Sequence, residues 1–174
     1  MNGKIIGIGI MVIALIAGAG LYYLQVYHFY DKVAVPDAVE LVSVSSGEPE
    51  EIIADDITAI NATSSPIRYR ACFSTPMSHS LLTESYELAH GAIPLTAPDW
   101  FDCFNATEIG DALQDGSALA FLGRENIEYG VDRIVVIFDD GRGYVWQQLN
   151  DCGQKAYDGT AVGPECPARP TESN

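Results

Sequence analysis

Four cysteines, three histidines and one glycine-rich acidic turn hold most of the chemical potential of this 174-residue chain. The cysteines are Cys72, Cys103, Cys152 and Cys166, and four allow three pairings. Closeness in sequence favours Cys72–Cys103 and Cys152–Cys166, each closing a loop whose lost entropy would stabilise the fold by roughly 3–4 kcal/mol. Redox catalysis would need a low-pKa thiolate and usually a resolving cysteine close by. No C-x-x-C motif is present, and separations of 31, 49 and 14 residues contain no paired-ligand zinc knuckle. Structural disulfides are the expectation, with no metal and no cofactor.

The histidines are His28, His79 and His90. His28 lies among aromatics at the end of an apolar run, as an interfacial side chain would. His79 and His90 stand eleven residues apart without a carboxylate at helical spacing, which is thin support for a metal pair. Ser78-His79 invites a hydrolase reading, but no G-x-S-x-G elbow accompanies it. Asp139-Asp140-Gly141-Arg142-Gly143 matches the D-x-G-x-G box of histidine-kinase ATP-binding domains over five residues only. A hairpin turn accounts for the same glycines. Asn61-Ala-Thr63 and Asn105-Ala-Thr107 match the glycosylation pattern, and Asn105 also fits a helix cap. Arg142, Tyr144 and Trp146 are a candidate binding face, because these residue types are enriched at interface hot spots. The competing reading places Tyr144 and Trp146 in the core.

These groups must be positioned by what surrounds them, and the dominant element is apolar. Ile5 to Leu24 is twenty residues without a charge. At about 1.5 Å per residue such a helix spans the roughly 30 Å hydrocarbon core of a bilayer. Tyr22, Tyr23, Tyr27, Phe29 and Tyr30 then form an aromatic cluster suited to the interface. Cleavage after Ala19, as from a signal peptide, is the alternative; apolar sequence continuing through Val26 favours an uncleaved anchor. At 100° per residue, Gly3, Gly7, Ala14, Gly18 and Gln25 fall within roughly a 60° sector, a candidate helix-packing face for a membrane-protein partner. Gly9, Ala19 and Gly20 lie elsewhere, so the stripe is not clean.

Beyond the anchor the chain is acidic. From Asp31 onward 8 basic residues face 24 acidic ones, a formal charge of −16. That balance disfavours nucleic acid and anionic lipid as direct partners. Cysteines confined to this part indicate an oxidising compartment. The expected organisation is a cytoplasmic N-terminus over residues 1–4, an anchor over 5–26, a juxtamembrane tether over 27–38, a periplasmic domain over 39–157, and a Pro-rich tail over 158–174 pinned by Cys166. Within the domain, residues 39–44 read as a strand, and residues 67–73 alternate as a half-buried strand. Thr75-Pro76 is a candidate helix start. Asn105 and Glu108 cap a short helix, residues 118–122 form a short strand, and residues 133–138 and 143–149 form a hairpin turning at Asp-Gly. The fold class is α+β: a transmembrane helix, then one small domain with an antiparallel sheet, one or two short helices and two disulfides.

Over nearly its whole length the sequence resembles a family of small, uncharacterised, single-anchor bacterial envelope proteins. The resemblance is carried by the anchor with its LYYLQVYHFYD exit, Ser64 to Phe73 (SSPIRYRACF), Trp100 to Phe104 (WFDCF) and Gly141 to Trp146 (GRGYVW). It implies a bacterial inner membrane with the domain in the periplasm; the family has no established activity or site residues, so no catalytic role carries over. Some members bear a histidine-kinase label, which the lone glycine turn does not support. The function expected is a non-catalytic accessory or interaction module for another envelope component. The alternative is a hydrolase-type envelope enzyme using scattered acids and histidines.

Overall fold

A computed structural model describes residues 3–34, 36–163 and 166. Helix α1, Gly3–Tyr23, carries no buried residue and continues as a single π turn over Leu24–His28, closed by the Phe29 N–H on the Leu24 carbonyl. Apolar on every side, it has no face the domain could cover and no stripe that prefers water. Its 26 residues to His28 are long enough to cross a membrane.

The domain that follows is built on a six-stranded antiparallel sheet in the order β1-β4-β5-β8-β7-β6. Its strands are β1 (Asp31–Lys32), β4 (Asp55–Asn61), β5 (Arg70–Ser74), β6 (Ala118–Glu128), β7 (Val131–Phe138) and β8 (Arg142–Leu149). A two-stranded ribbon of β2 (Glu40–Val42) and β3 (Pro49–Glu51) packs against it. The extended stretch 86–89 stitches the two together, bonding to Val42 on one side and to Ala120 and Leu122 on the other. Both disulfides form as sequence proximity favoured, Cys72–Cys103 and Cys152–Cys166.

Both faces of the central strands are covered. Ile134, Val136, Tyr144 and Trp146 face helix α3 (Ala106–Asp115) and the loop bearing Phe101 and Phe104. Val135, Ile137 and Val145 face the β2–β3 ribbon and helix α2 (His79–Ser85). A strand buried on both sides needs apolar residues in succession rather than alternation, which is why β7 reads VDRIVVIF.

Local chemistry explains the element ends. The Asn105 side chain accepts the N–H groups of Thr107 and Glu108 to open α3, and Gly116, at φ +84°, closes it. In the β7–β8 hairpin Gly141 is at φ +89°, the left-handed residue of a three-residue loop. Gly143 has a different reason: a Cβ there would collide with the Phe73 ring.

Four expectations are corrected. Residues 66–68 form a 3-10 turn, and β5, from Arg70, is buried on both faces rather than half-buried. The second helix opens at His79, capped by Ser78, not at Thr75-Pro76. Strand β6 extends to Glu128, well past Leu122. Residues 31 and 32, expected within a tether, pair with β4 as an edge strand. Residues 1–2 of the N-terminal segment, and residues 164, 165 and 167–174 of the tail, lie outside the described residues.

Candidate functional site

The most specific constellation in the molecule lies where α1 meets the domain. The Trp100 indole N–H donates to the Val26 carbonyl at 2.7 Å, across 74 residues of sequence. Tyr30 meets Trp100 edge-on with ring centroids 6.4 Å apart, and Trp100 meets Phe101 in the same manner. The Arg68 guanidinium lies 5.5 Å from the Tyr30 ring centroid, and the Lys32 ammonium 6.0 Å from that of Trp100. The exit of the helix is therefore clasped by aromatic rings, with a cation at each end of the pair.

Behind the clasp stands Arg70, only 3% exposed. Nε donates to the Leu95 carbonyl, Nη1 to those of Ile67 and Tyr69, and Nη2 to that of Thr96. The guanidinium also lies over the Phe104 ring. Burial pulls its pKa down to about 10, partly offset by Tyr30, so it stays charged at neutral pH. Among the described residues, four carbonyls accept its hydrogen bonds and no carboxylate does. Its role is to fix the loop from Leu95 to Phe104 against β5, and Cys72–Cys103 fixes the same loop covalently. Trp100 is thus presented to α1 by a charged bracket and a disulfide.

Other candidate groups are placed apart from this junction. Cys152–Cys166 secures the segment after β8. His28 lies beside Phe29 at the end of the π turn, the two rings tilted at 56°. His79 engages the Ile137 carbonyl through Nε2 at 2.9 Å, and Ser78 caps the helix that carries it. His90 is exposed beside a hollow of about 450 Å³ that also receives Glu125, Asp132 and Gln148. Asp132 is already engaged: its Oδ1 accepts from the Asn126 backbone and the Asn150 amide. Among the described residues, no group of three or more His, Cys, Asp or Glu is placed to hold a metal ion.

Of the candidate hairpin face, Trp146 is fully buried and Tyr144 is 6% exposed, both against Phe104. Only Arg142 has its side chain in solvent, paired with Glu108 at 2.6 Å and Asp140 at 2.8 Å. The glycines of the D-x-G-x-G string serve the hairpin, one at a left-handed φ and one beneath Phe73. Gly3, Gly7 and Gly18 on α1 face open space, and Ala14 and Gln25 are exposed as well.

A family model matches residues 39–167, from just before β2 to just past Cys166; its description is a family of unknown function, DUF6446. The chain belongs to this family. No curated protein and no solved structure matches it. The family assignment agrees with the resemblance carried by the motifs, and nothing supports a histidine-kinase label. The DUF6446 match contains Arg68, Arg70, Trp100 and both disulfides, while Val26, Tyr30 and Lys32 precede it. The clasp joins the family domain to the helix outside it. Sequence reasoning missed this junction; its two signals were the aromatic exit of the anchor and the tryptophan of WFDCF.

Proposed function

We propose that this chain is a single-pass protein of the bacterial inner membrane whose disulfide-bonded domain stands in the periplasm, held at the membrane surface as a non-catalytic accessory module. The observation that carries the reading is the Trp100–Val26 hydrogen bond with Tyr30 packed beside it. A domain bonded to the last turn of its own anchor is set in a fixed posture over the bilayer, where a neighbouring membrane protein would meet the same surface each time. The two disulfides are compatible with an oxidising periplasm. The partner contact within the bilayer would be the Gly3, Gly7, Ala14, Gly18 and Gln25 side of α1, where small residues permit close approach. Outside it, Arg142 would be the exposed member of the hairpin face. A hydrolase-type reading would instead centre on the hollow beside His90.

A reporter fused to the C-terminus tests the topology. The expected outcome is activity from alkaline phosphatase, which requires export, and none from a cytoplasm-dependent reporter. The intact mass of the membrane-extracted protein should include residues 1–19. The reverse reporter pattern, or a mass corresponding to cleavage after Ala19, would overturn the reading.

A further inference from the structure

We infer that Lys32 and Arg68 form a headgroup site for an anionic phospholipid at the foot of the domain, an inference that rests on α1 spanning the bilayer. Their level is the first argument. If Ile5 to Leu24 fills the hydrocarbon core, Val26 and the Trp100 bonded to it lie just beyond, at the depth of the lipid phosphates. Lys32, Trp100, Tyr30 and Arg68 follow one another ring to cation from that point. Indole and phenol rings favour this layer, and cationic groups reach phosphates from it.

Charge pairing is the second argument. Elsewhere in the domain Arg124 pairs with Glu40, Arg133 with Asp37, and Arg142 with Glu108 and Asp140, while Lys155, in the loop after β8, has no carboxylate within ion-pair distance among the described residues. Among the described residues no carboxylate lies within ion-pair distance of Lys32 or Arg68, although Asp31 adjoins Lys32 in sequence. In a chain with 24 acidic residues, two cations left unpaired at the membrane end are placed for an anion from outside the protein. The overall negative charge still repels an anionic surface from most of the domain; the attraction is confined to this corner, within about a Debye length.

The test uses the full chain in nanodiscs of equal phosphatidylcholine and phosphatidylglycerol, released for native mass spectrometry. The wild type should retain phosphatidylglycerol over phosphatidylcholine about five-fold or more, the factor expected for a cation near an anionic surface. Lys32→Gln, an exposed change on the edge strand, should lose most of that preference. Arg68→Lys should retain it. Lys155→Gln, a lysine in the loop after β8, should behave as wild type. Equal retention of the two lipids by the wild type, or equal losses from Lys32→Gln and Lys155→Gln, would overturn the site. Failure of the wild type to enter nanodiscs would overturn the anchor reading itself.

Discussion

The junction of α1 with the domain and the β7–β8 tip are each built around an arginine lying over an aromatic ring, yet the two regions use it differently. At the junction, Arg70 is buried over Phe104 and donates to four backbone carbonyls of two separate loops. At the tip, Arg142 is exposed over Phe138 and pairs with two carboxylates. Burial pulls the first guanidinium down to about 10, while its hydrogen bonds to Glu108 and then Asp140 hold the second above its usual value. The difference teaches where the molecule is constrained. A buried charge with partners on several segments ties those segments together, and its loss leaves acceptors stranded. An exposed pair is screened by water and adds little.

The largest effect is therefore expected at the junction. Arg70→Met keeps the bulk but leaves the carbonyls of Ile67, Tyr69, Leu95 and Thr96 without their donor. Stability should fall by about 3 kcal/mol or more, read as a lowered thermal midpoint of the full chain in detergent, with faster hydrogen exchange over residues 95–104. Arg142→Gln should cost less than about 1 kcal/mol, and added salt should shrink the difference further. Equal losses at the two sites would break the contrast.

The smallest effect is a pH dependence at the tip. The backbone N–H of Arg142, and then its side chain, hold the Asp140 carboxyl below its ordinary value of 3.8. A carboxylate with a depressed folded pKa stabilises the fold above its unfolded pKa, and that contribution is lost as pH falls through the folded value. Acid titration of thermal stability should thus show a slightly shallower decline below about pH 4 in Arg142→Gln than in wild type. An identical slope would remove the assigned coupling.

Much of this scaffold was legible in the sequence because it rests on local rules. The long apolar helix α1 followed from the uncharged run Ile5 to Leu24, α3 from Asn105 and Gly116, the hairpin from Asp-Gly between apolar runs, and the disulfides from proximity. Strand β5 was misread because arginine at position 70 looks like a solvent-facing residue. Only the carbonyls of Leu95 and Thr96, far along the chain, make its burial tolerable. The start of helix α2 was misplaced because its Ser78 cap lacks an acidic partner three residues on and follows a misleading Pro76. The clasp was illegible for a related reason: periodicity reports neighbours a few residues apart, and Val26 and Trp100 are 74 apart.

If α1 spans a bilayer, the clasp seats the domain at the lipid interface, and Trp100 reports that seating directly. Quenching of tryptophan emission should be measured for the full chain in bilayers whose lipids carry bromine at successive acyl positions. Trp146 is fully buried in the domain and should contribute only an unquenched background. The clasp predicts that Trp100 is quenched, most strongly by bromine nearest the headgroup and progressively less by deeper labels. Emission unaffected by bromine at every depth would mean that the domain floats free of the membrane, and would contradict the account.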